Sequence, residues 1–217
     1  MRKRQEETDY YRRLFGRLFI FTGSFLMAAA AAVNVMDYVK SRSAVTEFEK
    51  TKKEIITIVD TEDAVSVQPD MTAPDTGTDE IDLKTVLGVL RIPKIELEEA
   101  VREGTNSSVI SSALGHVTHT ALPGEQGNCA IAGHRNYVFG RYFNRLDEME
   151  PGDTIEIETL EGTYTYTVTE SFVVEPKEVS VLDTMEGYNL TLITCTPLFI
   201  GSHRLIIRAA LNDAPLN

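Results

Sequence analysis

Three residues of this chain could together perform nucleophilic chemistry: Cys195, His134 and Arg204. Cys195 closes the run Thr191-Leu192-Ile193-Thr194-Cys195-Thr196-Pro197, whose β-branched and aliphatic residues predict a strand. Pro197 cannot continue a paired central strand, so the thiol falls at a strand end, near a loop and open to solvent. The next strand-like run, His203-Arg204-Leu205-Ile206-Ile207-Arg208, carries its guanidinium at the start. His134 follows the apolar segment Ala130-Ile131-Ala132-Gly133 and also falls at a strand mouth. In such a set a thiolate attacks a carbonyl, a histidine protonates the leaving amine, and an arginine offsets developing negative charge. Spacing alone does not couple Cys195 to His134, which are far apart in sequence.

The elements that must position these residues follow a basic head and an apolar run. Residues 1–17 carry Arg2, Lys3, Arg4, Arg12, Arg13 and Arg17, whereas the whole chain of 217 residues has a net charge of −12. An acidic body argues against nucleic acid as a partner, because polyanion binding needs a basic stripe. Leu18 to Met36 contains no charged residue and is long enough to cross a hydrocarbon core. The basic flank keeps the N-terminus cytoplasmic and sends the body outside. A cleaved signal peptide is the competing reading, since Ala28–Ala32 offers small residues; the length of the head and of the run favours an anchor. The expected organisation is a cytoplasmic head over 1–17, a membrane anchor over 18–39, a juxtamembrane helix and flexible linker over 40–80, and a catalytic domain over 81–213.

Within that domain the pattern is of short strands: Val86–Ile92, Ile95–Val101, Asn128–Gly133, Thr154–Thr159, Thr163–Val174 and the two terminal runs. Short helices are predicted over Ser107–Leu114 and Tyr142–Met149, and Glu161-Gly162 reads as a hairpin turn. Many short strands at this spacing predict an all-β barrel or sandwich. The two cysteines lack metal-site or disulfide-framework spacing, and Cys129 reads as a small buried apolar residue. No cofactor or metal motif is present in the sequence.

Thr191-Leu192-Ile193-Thr194-Cys195, with Arg204 nine residues beyond the thiol, resembles the TLxTC…R signature of sortases, the cysteine transpeptidases of Gram-positive cell surfaces. Gly115-His116, Ala121-Leu122-Pro123-Gly124, Gly127-Asn128, Ile131-Ala132-Gly133-His134-Arg135, Phe143-Asn144-Arg145-Leu146 and Gly152-Asp153 are similar to further family segments in the same order. The resemblance implies an eight-stranded sortase β-barrel with short helices, acting on an LPxTG-like sorting signal. By motif, Cys195 is the nucleophile that cleaves between Thr and Gly, His134 the general acid/base, and Arg204 the residue that holds the substrate backbone or the oxyanion. An amine of peptidoglycan precursor then resolves the thioester; in a pilin-polymerising class C enzyme it would be a pilin lysine.

Thr194 and His116 are the substrate-binding candidates. For Thr194 ordinary β-propensity explains the residue equally well, and for His116 a supporting polar role is the stronger reading. His203 and His119 read as structural and exposed, respectively, and Arg135 and Arg141 as solvated loop charges. The linker lacks the Asp-Pro-aromatic triplet of class C lids, and no apolar tail precedes Asn217, which favours a class D-like or housekeeping-like enzyme. Ala73-Pro74-Asp75-Thr76-Gly77 resembles a sorting signal with alanine first, and as a chance match needs no function. A catalytically silent surface scaffold is the reading from another class; the complete Cys195, His134 and Arg204 set argues against it. An L,D-transpeptidase fits less well, because its arginine follows the thiol by two residues.

Overall fold

A computed structural model describes residues 2–61, 86–135 and 142–212. The chain divides into two units, Met1–Lys40 and Ser41–Asn217. One helix, α1 (Arg2–Thr61), runs through the whole of the head, the apolar run and the segment beyond it. The sequence predicts an anchor and a separate juxtamembrane helix; the structure joins them without a break, because no proline or glycine interrupts 24–61. Gly16–Val33 is long and apolar enough to cross a membrane. Its Thr22 hydroxyl donates to the Leu18 carbonyl at 2.7 Å, which satisfies that polar group within the helix itself. The linker and the Ala73–Gly77 motif lie outside the described residues, Thr61 excepted.

The second unit is built on eight strands among the described residues. These are β1 (Val86–Ile92), β2 (Leu97–Glu103), β3 (Leu114–His116), β4 (Gly127–Ala132), β5 (Thr154–Glu158), β6 (Thr163–Val174), β7 (Tyr188–Thr196) and β8 (His203–Leu211). They close into a barrel in the order β1-β2-β3-β4-β7-β8-β6-β5. Closure leaves no edge strand exposed. Alternate residues point inward: Leu90 and Ile92, Ile155 and Ile157, Leu190 and Leu192, Leu205 and Ile207 all join one interior cluster. A single helical turn, α2 (Ser107–Ile110), precedes β3, and Asn106 caps it by accepting a hydrogen bond from the Val109 amide. The helix predicted over Ser107–Leu114 is thus shorter than expected, and Leu114 instead opens β3. The one predicted over Tyr142–Met149 is a 3₁₀ turn at Leu146–Glu148. Ile95 closes another 3₁₀ turn, so β2 starts two residues later than the sequence pattern predicts.

The near-continuous apolar run of β1 has a specific cause. Leu90 and Ile92 face the interior, while Val89, with Ala100 of β2, packs outward against Ala44, Val45 and Phe48 of α1. Residues 44, 45 and 48 lie on one helical face, which is the stripe such packing needs. Around this patch Arg91 donates to Glu49 at 2.8 Å and to Glu98 at 3.1 Å, and also pairs with Glu158. Arg42 and Lys52 of α1 pair with Glu98 and Glu158. Phe48 is 3% exposed. Phe48→Ala should cost about 3 kcal/mol and lower the thermal midpoint by roughly 5–10 °C. An unchanged midpoint would mean that the helix is not part of the folded unit.

The same network sets an acid limit. Hydrogen bonding from Lys52, together with Arg91, holds the Glu158 carboxyl below the usual carboxylate range against a smaller opposing cost of burial. Partial burial pushes Glu98 up, but the hydrogen bonds from Arg91 and Arg42 outweigh it and lower it overall. A depressed folded-state value means that the stabilisation is fully present above the unfolded value and is lost as pH falls through the folded one. Stability should therefore fall below about pH 4 more steeply in the wild type than in Glu158→Gln, as read by denaturant unfolding across pH. Parallel acid limbs in the two proteins would contradict the assignment.

Candidate active site

β4 and β7 pair in parallel, with Ala132 opposite Ile193, so both strands end at the same rim of the barrel. β8 runs antiparallel to β7 and places Arg204 opposite Cys195. The three residues with chemical potential thus come from one corner. Side-chain alternation then divides their neighbours between two faces. Leu190, Leu192 and Thr194 form the inward row, whereas Thr191, Ile193 and Cys195 belong to the outward one. On that outward row Thr191 is covered by the connection between β6 and β7. Its hydroxyl donates to Asn128 Oδ1 at 2.7 Å, and Asn128 Nδ2 donates to the carbonyls of Val181 and Asp183 at 3.0 and 3.1 Å. Cys195, further along the row, remains partly exposed.

His134, Arg135, Cys195, Pro197, Phe199, Ile200 and Gly201 line a pocket of about 200 Å³. The histidine and the thiol therefore share one cavity. The chain reaches His134 through Gly133, and a Cβ there would come within 2.6 Å of Leu114 Cδ2 and 2.8 Å of Phe143 Cδ2. Only glycine lets the backbone pass so closely over those two core side chains. Three further links hold this segment against β7 and the Phe143 turn. The Gly133 amide donates to the Ile193 carbonyl at 3.0 Å, the Thr194 hydroxyl donates to the Gly133 carbonyl at 2.8 Å, and the Phe143 amide donates to the His134 carbonyl at 3.0 Å. Arg204 Nη1 donates to the carbonyls of His203 and Gly201 at 3.0 and 3.2 Å. Gly201 packs directly beside Cys195, so the guanidinium is anchored to the loop next to the thiol. Among the described residues no group of acidic, histidine or cysteine side chains has the arrangement to hold a metal ion.

The structure also places three other residues weighed in the sequence. Thr194 is 2% exposed and its hydroxyl donates to the Gly133 carbonyl, which braces the His134 segment. His116, on β3, is also 2% exposed and does not line the pocket. Its Nδ1 lies 2.7 Å from Glu103 Oε2, and its Nε2 lies 3.0 Å from both the Ala121 carbonyl and the Thr120 hydroxyl. Both ring nitrogens are thereby committed to fixing the loop after β3, which is a structural task. Arg135 is no solvated loop charge. Its side chain is 7% exposed and makes three polar contacts. Arg141 lies outside the described residues. Phe199 and Ile200, each 73% exposed at the pocket, were not singled out from sequence, although two large apolar residues in a short loop beside a thiol are a readable signal.

A family model described as the sortase domain matches residues 90–212. The chain belongs to the sortase family. Sortases are cysteine transpeptidases, and the closed eight-stranded barrel is the family's fold. Sortase SrtE1 of Streptomyces coelicolor is 34% identical over 135 residues, covering 55% of this chain and 38% of that protein. Sortase D of Bacillus subtilis is 32% identical over 117 residues, covering 53% and 57%. The match thus spans about half the length of these curated relatives or less. The solved structure of a Clostridium perfringens Sortase D5 transpeptidase is 28% identical with a TM-score of 0.62, covering 81% of this chain and 99% of that one. The sortase motifs fall on the structural features just described: Gly133 and His134 after β4, Phe143 in the core, and Cys195 at the end of β7.

Proposed function

We propose that this sortase is a membrane-anchored transpeptidase that cleaves an LPxTG-like sorting signal between Thr and Gly and passes the acyl group to an amine of cell-wall precursor. The observation that carries the reading is the shared pocket of Cys195 and His134 at one rim, with Arg204 paired to Cys195 on the adjacent strand. The thiolate of Cys195 attacks the threonine carbonyl carbon, forming an S–C bond. His134 then delivers a proton to the glycine nitrogen as the C–N bond breaks, leaving a thioester. The incoming amine attacks that thioester, its proton passes to His134, and the thiolate leaves. Arg204 supports the oxyanion in both steps. The exposed Phe199 and Ile200 offer the apolar side of the pocket to the leucine-proline end of the signal.

The basic head and the apolar stretch of α1 support a topology with the head in the cytoplasm and the catalytic domain on the extracytoplasmic face. The likeness to the Sortase D5 structure, which accounts for 99% of that chain, supports a class D-like enzyme that anchors surface proteins to the wall. The absence of an Asp-Pro-aromatic triplet from 61–80 supports the same reading.

The test presents the protein with a library of LPxTG-like peptides and either triglycine or a diaminopimelate-type amine, read by mass spectrometry. A thioester on Cys195 and a ligated product are expected. A folded protein that forms neither adduct nor product with any peptide would overturn the proposal in favour of a silent scaffold.

A further inference from the structure

Arg135 has a role that the Cys195, His134 and Arg204 chemistry does not account for. It directly follows His134, and its side chain turns away from solvent to 7% exposure. Nη1 donates to the Thr196 hydroxyl at 2.9 Å, Nε donates to the Asn144 carbonyl at 3.3 Å, and Nη2 meets Asp147 Oδ2 at 2.8 Å. Thr196 directly follows Cys195. The guanidinium thus links the residue after the candidate base to the residue after the candidate nucleophile. The other links across this seam run through backbone groups or through Thr194, on the N-terminal side of the pair. Arg135 is the side-chain link among the described residues on the C-terminal side.

We infer that Arg135 is a positioning residue that sets the distance between the His134 ring and the Cys195 sulfur by tying Thr196 to the Asn144–Asp147 turn. The inference rests on the transpeptidase reading above. The planar fork explains why arginine suits the position. Three acceptors lie around it in different directions, and a lysine ammonium is a point charge that cannot span them with one rigid group. A guanidinium this buried is held by its partners, so its orientation is fixed before any substrate arrives, and preorganised geometry at a reacting pair is worth a large rate factor. Asp147 is half exposed and supplies the charge that makes burial of the cation tolerable.

The experiment compares the full-length protein with Arg135→Lys, Thr196→Val, the double variant, and Cys195→Ala, measuring thermal midpoint, kcat, KM and the pH dependence of kcat/KM for peptide ligation. Thr196→Val removes a single hydroxyl and keeps the side-chain shape, so it breaks the link without emptying the rim. We expect kcat to fall roughly 10–100-fold in each single variant with KM nearly constant. The limbs of the pH profile should move, because they report the coupled His134 and Cys195 pair. The double variant should be no worse than the poorer single one, since both break the same link. Arg135→Lys and Thr196→Val proteins that keep wild-type kcat and pH profile would overturn the inference. A lowered thermal midpoint with both kinetic quantities intact would do so too, since it marks a purely structural residue. Cys195→Ala separates the two claims: activity retained there defeats the transpeptidase reading itself, whereas a dead Cys195→Ala beside unaffected Arg135 and Thr196 variants defeats only the positioning role.

Discussion

Cys195→Ala should abolish both the covalent adduct and the ligated product, with turnover falling by roughly 10⁴–10⁶-fold while the barrel melts as before. The size of the loss follows from the chemistry. Without the sulfur there is no acyl carrier, and water or an amine must attack an unactivated amide directly. The unchanged melting follows from the structure, because Cys195 is partly exposed on the outward face of β7 and its side chain fills no part of the interior cluster. Cys129 supplies the internal control. It is 1% exposed within the core, and burial pushes its thiol strongly up, with Glu125 and Glu103 adding to the effect. A buried thiol held in its neutral form is a poor nucleophile. Cys129→Ala should therefore keep its turnover and lose stability instead, and alkylation of the folded protein should mark Cys195 alone. Activity surviving in Cys195→Ala would refute the assignment of the nucleophile.

His134→Gln should lower peptide ligation by roughly 10²–10⁴-fold, the range expected for loss of a positioned acid/base. Glutamine keeps the bulk and polarity of the side chain but cannot exchange a proton. His134 is exposed and its side chain has no packing role in the interior, so the folded state should tolerate the change. The informative comparison is between leaving groups. An amide nitrogen needs a proton before it can depart, whereas a thioester or activated ester does not. The variant should thus be crippled on peptide substrates and far less affected in acylation by an activated ester of the same sequence. Equal losses on both substrates would mean that His134 holds the substrate and does not move protons.

The parts of this fold legible in the sequence were those where local pattern and burial agree. The alternation in Thr163–Val174 and Thr191–Cys195 is that of strands with one face in the barrel, and both are strands. Pro197 and Gly133 mark strand ends, and Cys195 and His134 do lie at such ends. The three-residue β3 was not legible, because a strand so short carries no period and is defined by its parallel pairing with β2. Nor was the docking of α1 on β1 and β2. Val45 and Phe48 stand at helical spacing in the sequence, but spacing does not say what covers such a face. At the site, residue types and motif order suggested which side chains matter, while their facing directions came only from tertiary structure. Thr194 points inward because its neighbours Leu192 and Leu190 do, and Arg135 is buried because Thr196, Asn144 and Asp147 surround it. A charged residue beside a loop reads as solvated until those partners are known.

The strand order has a consequence for the biogenesis of the enzyme. β7 lies between β4 and β8, and the last strand completes the barrel by pairing with both β7 and β6. A polypeptide emerges N-terminal end first, and long-range pairings form only once both partners are present. Until β8 is released, β4 and β7 can bring the histidine and cysteine segments together, but the guanidinium that β8 sets opposite Cys195 is still missing. The topology thus makes the arginine the last member of the set to arrive.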